Sequence, residues 1–183
     1  MAACRFIQSK NVNRFFYSWL IEVFNSPNEE RIKQFGPDRA AAEWIIRNGG
    51  KVKFESHITW STSYSTLSNS CTKLVAIDGS NIALTSNGLR HLMFFYFLEG
   101  LNYLTDLLLR KCPNITFLDS LEEVSASLKH LDISYCESIT DISPVAKLRN
   151  LETLVVSQTL IGSMRDETIK RLQLELPQCK IID

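Results

Sequence analysis

Two kinds of hydrophobic spacing divide the chain, with the change near residue 73. Between residues 15 and 24, Phe16, Leu20, Val23 and Phe24 fall on one face of a helical period, which predicts an amphipathic helix. Asn25-Ser26-Pro27-Asn28 interrupts it, and a second helix is expected from about Asn28 to Phe35. Gly36-Pro37-Asp38 stops that helix, and Asp38 is the expected cap of a third, Arg39 to Arg47. In the third helix Ala40, Ala41 and Ala42 permit close packing, while Trp44, Ile45 and Ile46 supply bulk. Asn48-Gly49-Gly50 ends it with residues suited to positive φ. Lys51-Val52-Lys53-Phe54 then alternates polar and apolar, the mark of a short half-buried strand. Residues 56–72 are rich in serine and threonine, with His57, Ile58, Trp60, Tyr64 and Leu67 to anchor them. They read as a loop joining a small N-terminal domain to the C-terminal half of the chain.

From Val75 onward the chain repeats itself. Leu128, Leu131, Ile133 and Cys136 fit L-x-x-L-x-L-x-x-C. Leu104, Leu107, Leu109 and Cys112 fill the same slots one unit earlier, and Leu151, Leu154, Val156 and Thr159 one unit later. Val75, Ile77 and Ser80 are read as the opening unit. Cys112 to Cys136 is 24 residues and Cys136 to Thr159 is 23, whereas Ser80 to Cys112 takes 32. Met93-Phe94-Phe95-Tyr96-Phe97 lies within the excess, as either an inserted partner-binding strip or a lengthened helix. An L-x-L segment is a short strand with alternate residues inward, and each such unit leaves one face open until a neighbour stacks on it. The pattern therefore predicts an α/β chain. A small helical N-terminal domain with its Ser/Thr-rich loop (residues 15–72) precedes about four leucine-rich repeats (residues 73–183), a curved solenoid of short parallel strands and helices.

Composition narrows the functions open to such a chain. Hydrophobic residues make up 45% and charged residues 22% of the 183, enough apolar material for a sizeable core. Lysine plus arginine equals aspartate plus glutamate at 20 each, so the basic excess of a nucleic-acid binder is missing. The longest apolar run, Leu92 to Leu98, is far too short to span a bilayer. Five cysteines (Cys4, Cys71, Cys112, Cys136, Cys179) are scattered without C-x-x-C spacing, as expected in a reducing compartment. Residues 1–21 carry Arg5, Lys10 and Arg14 and no acid, so residues 1–14 are expected to act as a mitochondrial targeting segment.

Catalytic constellations do not emerge. The glycines form no phosphate-cradling loop, His57, His91 and His130 lack metal-ligand spacing, and Ser134 and Ser157 have no base beside them. Asp132, Glu137 and Asp141 are explained by a polar repeat face. The chain is read as a protein-binding molecule and not an enzyme.

One block is more specific. Gly36-Pro37-Asp38-Arg39-Ala40-Ala41-Ala42-Glu43-Trp44, followed by Arg47-Asn48-Gly49-Gly50-Lys51-Val52, resembles the family of ATP synthase subunit s, or coupling factor B. Trp19-Leu20-Ile21-Glu22-Val23-Phe24-Asn25 is similar to that family's tryptophan-leucine helix, and Ala76-Ile77-Asp78 and Glu99-Gly100-Leu101 to the start of its repeats. The resemblance covers roughly residues 15 to 183. It implies a matrix-side protein, peripheral to the mitochondrial inner membrane. Such a protein would be linked to the membrane sector of ATP synthase and to the coupling of proton transport to ATP synthesis. A relative that assembles the distal membrane arm of respiratory complex I is similar in the same block, which leaves that assembly role as an alternative. A ubiquitin-ligase adaptor with leucine-rich repeats is a third reading, but no F-box-like helix is present. The resemblance further implies weak Mg2+ binding at Gly49 and Ser80 and a redox-sensitive thiol at Cys112. Trp44 and Arg39 are read as candidate partner contacts, with Trp44 alternatively a core residue that packs the helix onto the first repeat. The family's paired thiol is reduced here to Arg110-Lys111-Cys112.

Overall fold

A computed structural model describes residues 19–21, 23, 25–26, 29–67, 73–93, 101–159 and 165–183. Residues 19–21 and 23 are helical, as expected, but Val23 is 47% exposed and lies off the buried face assigned to it; Phe16 and Phe24 are outside the described residues. Two helices come next, α1 (Glu29–Phe35) and α2 (Pro37–Arg47). Asp38 does not cap α2. Gly36, at φ 80° and ψ 170°, stands at the cap, and Pro37 takes the first helical position, where its missing N–H removes no bond. Asp38 is thereby drawn into the first turn, and its Oδ1 instead accepts from the backbone N–H of Leu74 at 2.7 Å, tying the helix to a strand 36 residues away. The C-terminus behaves as predicted. Gly49 has φ 93°, and the N–H groups of Gly49 and Gly50 return to the carbonyls of Ile46 (3.0 Å) and Ile45 (2.9 Å).

Strand β1 (Lys51–Phe54) buries alternate residues, Val52 and Phe54. It opens a six-stranded sheet in which neighbours in sequence are neighbours in space: β1, β2 (Leu74–Asp78), β3 (Asp106–Leu108), β4 (His130–Asp132), β5 (Thr153–Val155) and β6 (Lys180–Ile182). β1 runs antiparallel to β2, and every later pair is parallel. The sheet is mixed and open, and the fold is α/β. Between strands the chain returns through α3 (Ser86–Met93), 3-10 turns at Asp119–Val124 and Ser143–Lys147, and α4 (Arg165–Glu175), each packed on the next. No helix among the described residues is long and apolar enough to cross a membrane.

The leucine slots govern this architecture. Ile77, Leu107, Leu131, Leu154 and Ile181 stand side by side in register. Leu104, Leu109, Leu128, Ile133, Leu151 and Val156 surround them, all at 0% exposure. At about 1.5–3 kcal/mol for burying one such side chain, this column contributes substantially to stability. The slot after each strand has a second task. The Cys112 thiol donates to the Gly79 carbonyl (3.2 Å), the Cys136 thiol to Leu109 (3.0 Å) and the Thr159 hydroxyl to Ile133 (2.7 Å). Each unit so satisfies a buried acceptor of the unit before it, which is why a small S–H or O–H residue recurs there. The residue just before the slot is left-handed every time: Asn81, Lys111, Tyr135 and Gln158, with φ between 57° and 59°.

That recurrence corrects the opening unit. With Ile77 aligned to Leu107, its slots fall on Leu74, Ile77 and Ile82, not on Val75 and Ser80. Asn81 to Lys111 is 30 residues, and part of the excess over the later steps is the full α-helix α3 where the next two units make a 3-10 turn. Met93 ends α3 inside the core at 1% exposure, while residues 94–97 of the aromatic strip lie outside the described residues. A further strand, β6, reached through α4, extends the sheet beyond the four units expected. The N-terminal helices do not stand apart: α2 packs against β1 and β2, and its residues share one apolar cluster with the strands' leucines.

Candidate functional site

The left-handed turns and the ends of β2, β3 and β4 form a charged rim. Lys51, where β1 begins, places Nζ 3.2 Å from Asp78 Oδ2 at the end of β2. Arg110, just beyond β3, reaches Asp78 on one side (3.9 Å) and Asp132 on the other (3.6 Å). Asp78 also accepts from the Ser80 N–H (3.0 Å), and Asp132 from Ser134 N–H (3.0 Å) and hydroxyl (2.6 Å). Charges thus alternate Lys51–Asp78–Arg110–Asp132 across four strands. Burial by itself would push the Asp78 carboxyl up. Hydrogen bonds from Ser80 and the Lys51 ammonium outweigh it and hold the group below the usual carboxylate range. Lys111, the residue after Arg110, lies over the ring of Tyr135, 5.6 Å from its centroid.

Three of the sequence-derived site residues converge here. Gly49 precedes β1, Ser80 follows Asp78, and Cys112 lies beneath with its sulfur against Gly79. Their surroundings fit a hard cation poorly. The one carboxylate beside Ser80 already faces Lys51 and Arg110, the Ser80 hydroxyl accepts from Arg110 Nε at 3.4 Å, and Gly49 is the helix's left-handed terminator. No cluster of three His, Cys, Asp or Glu side chains able to hold a metal occurs among the described residues. Cys112 is fully buried, and burial pushes its thiol up to about 12, so the nucleophilic thiolate is suppressed.

The other two site residues belong to α2. Arg39 Nε bonds Glu43 at 2.9 Å and its Nη1 bonds the Leu67 carbonyl at 2.7 Å, leaving its side chain 15% exposed. Arg31 meets the same carboxylate with two nitrogens at 2.7–2.9 Å, and both guanidinium groups approach the Phe35 ring. Burial opposes ionisation of Glu43, but the two arginines prevail and lower its pKa. Trp44 is half-buried and packs against the apolar core. Arg39 lies away from the rim, two turns before Arg47 and roughly 12 Å along the helix axis. Trp44 is in the last turn, its carbonyl bonded by the Asn48 N–H and side-chain amide.

Sequence alone does not single out Arg110 and Asp78, and it groups Asp132 with Glu137 and Asp141. In the fold Asp141 turns to Ser143 while Asp132 faces Arg110. Correct alignment of the units reveals the rim, since Asp78 and Asp132 share one column and Arg110, Ser80 and Ser134 the next.

By architecture, then, the chain is an α/β protein built on an open mixed sheet whose strand ends carry a self-compensated charge ladder. No protein-family model matches the chain. Among known proteins it is similar to mouse "ATP synthase subunit s, mitochondrial", 36% identical over 155 residues, covering 79% of this chain and 74% of the relative. It is also similar to the proteins of that name from Macaca fascicularis (32%) and Bos taurus (30%), over 179 residues, 92% of this chain and 86% of theirs. The chain belongs to the ATP synthase subunit s family.

Proposed function

We propose that the chain is a non-catalytic coupling or regulatory subunit of the mitochondrial ATP synthase. In this reading it docks peripherally on the membrane sector, at the matrix side of the inner membrane, and supports proton-coupled ATP synthesis. Residues 1–14 direct import, residues 15–72 form a small helical N-terminal part that shares its apolar core with the strands, and residues 73–183 form a leucine-rich-repeat solenoid. The observation that carries the reading is similarity running through 92% of the chain to proteins that bear the name ATP synthase subunit s. The recurring left-handed turns and the thiol and hydroxyl ladder support the solenoid. Sequential parallel strands leave one side chain per unit standing on each column of the rim, the kind of surface by which stacked repeats bind proteins.

The test is purification of the tagged full-length chain from mitochondria solubilised in mild detergent, followed by native gels and mass spectrometry. Membrane-sector subunits of ATP synthase should co-purify in comparable amount. Recovery of complex I assembly intermediates in their place would transfer the chain to the assembly role, and a cytosolic chain would overturn the mitochondrial reading altogether.

A further inference from the structure

The loop after β1 is held at several points yet turns large apolar side chains outward. Ser61, 3% exposed, exchanges backbone hydrogen bonds with Val52 at 2.7 and 3.0 Å, so the loop covers the outer edge of β1. The His57 ring meets Phe54 edge-on at 6.1 Å, the Tyr64 hydroxyl donates to the Glu43 carbonyl at 3.3 Å, and Leu67 is buried. Between these attachments Ile58 is 94% exposed, Tyr64 50% and Trp60 37%. Of the five residues expected to anchor the loop, Leu67, His57 and the Tyr64 hydroxyl do so, while Ile58 and Trp60 are turned outward. Residues 56–66 contain no Asp, Glu, Lys or Arg. At the base, Lys51 Nζ lies 5.3 Å over the Trp60 ring, and Lys53 follows on the same face of β1 with no ion pair among the described residues.

We propose that this loop is an interfacial foot that enters the headgroup region of an anionic lipid surface, with Ile58 and Trp60 inserted and Lys53, whose neighbour Lys51 is held by Asp78, facing the phosphates. A crest without formal charge has no ion to desolvate on leaving water. Tryptophan and tyrosine, apolar bodies with one polar atom, concentrate at that depth of a bilayer. Lysines are depleted from the cores of protein interfaces but are drawn to anionic lipid, which favours a membrane over a protein pocket as the occupant. The proposal goes beyond the ATP synthase reading, because bare vesicles contain no protein partner.

The experiment is co-sedimentation of the full chain with phosphatidylcholine vesicles and with phosphatidylcholine–phosphatidylglycerol vesicles, comparing wild type, Ile58→Ser, Trp60→Ser and Lys53→Glu. Wild type should sediment with the anionic vesicles. Ile58→Ser should lower the partition coefficient roughly tenfold, the loss set by burying one large aliphatic side chain, with an unchanged melting curve because the residue makes so little contact. Trp60→Ser should fall as far, and Lys53→Glu should weaken binding to the anionic vesicles alone. The proposal is overturned if wild type ignores phosphatidylglycerol, or if Ile58→Ser sediments like wild type. It is equally overturned if Ile58→Ser loses co-purification with a mitochondrial protein while vesicle binding is intact.

Discussion

Gly88 and Asn25 give the sharpest test of how the N-terminal segment is attached. Asn25 is 1% exposed and spends its whole amide on backbone: Oδ1 accepts from Thr85 N–H (3.1 Å), while Nδ2 donates to the carbonyls of Ile21 (2.8 Å) and Ala83 (2.9 Å). It thereby closes the start of α3, where the Thr85 hydroxyl accepts from Gly88 N–H. A methyl group at Gly88 would overlap Asn25 Oδ1 and stand 2.7 Å from its Cγ, so the amide could remain only by giving up its partners. Asn25→Ala should cost about 2–4 kcal/mol, from three lost hydrogen bonds and a buried Thr85 N–H left unpaired. Gly88→Ala should lose a similar amount, offset by up to about 1 kcal/mol from the better helix propensity of alanine. In an Asn25→Ala background the clash is gone, and Gly88→Ala should then stabilise by up to about 1 kcal/mol. Equilibrium urea unfolding of the four proteins, with matched m-values, measures this reversal of sign. Equal destabilisation by Gly88→Ala in both backgrounds would refute the contact.

The other expectations are simpler. Leu131→Ala should cost about 2–4 kcal/mol, since Leu131 lies centrally in the leucine column at 1% exposure; a wild-type melt would discredit the register. Cys112 should resist alkylation at pH 8 until the protein unfolds, and rapid labelling of its peptide in the native state would contradict the burial that raises its pKa to about 12. The lowered pKa values of Glu43 and Asp78 contribute stability above the unfolded carboxylate values of about 4, and that stability falls away as the pH drops through the folded values. Glu43→Gln should be less stable than wild type at pH 7, and the gap should narrow by pH 3; a gap independent of pH would exclude the Arg31–Glu43–Arg39 network as its cause.

The parts of this fold that are legible in the sequence are those with local or periodic causes. Leu104, Leu107, Leu109 and Cys112 announce a strand and turn because alternate burial forces apolar residues into fixed slots, and Gly49 announces the end of α2 because a left-handed residue is needed there. The opening unit misleads because Ile82 stands where later units have Cys or Thr. It cannot donate a hydrogen bond, so the slot loses its chemical mark, and Ser80 two residues earlier supplies a false one. β6 escapes notice for a similar reason: Lys180-Ile181-Ile182 has no leucine pair, and its pairing with β5 sets it apart more than its composition. Asp38 and Asn25 are beyond reach altogether, because their partners lie 36 and about 60 residues away and no periodicity connects them. The rim falls between the two cases, visible once the columns are aligned and hidden while the first unit is out of step.

The four left-handed residues separate what the fold must keep from what it can vary. Asn81, Lys111, Tyr135 and Gln158 are all exposed and occupy one recurring backbone position, yet they have nothing chemical in common. Directly after them come Ile82, Cys112, Cys136 and Thr159, confined to what a buried slot admits. Asparagine tolerates this conformation well, but holding the other side chains in it costs roughly 1 kcal/mol that glycine would not incur, so the scaffold alone gives no reason for Lys111, Tyr135 or Gln158 to be there. The stack behaves like a row of type set in a rigid frame: the frame fixes where each character stands, and the characters can be exchanged without recasting it.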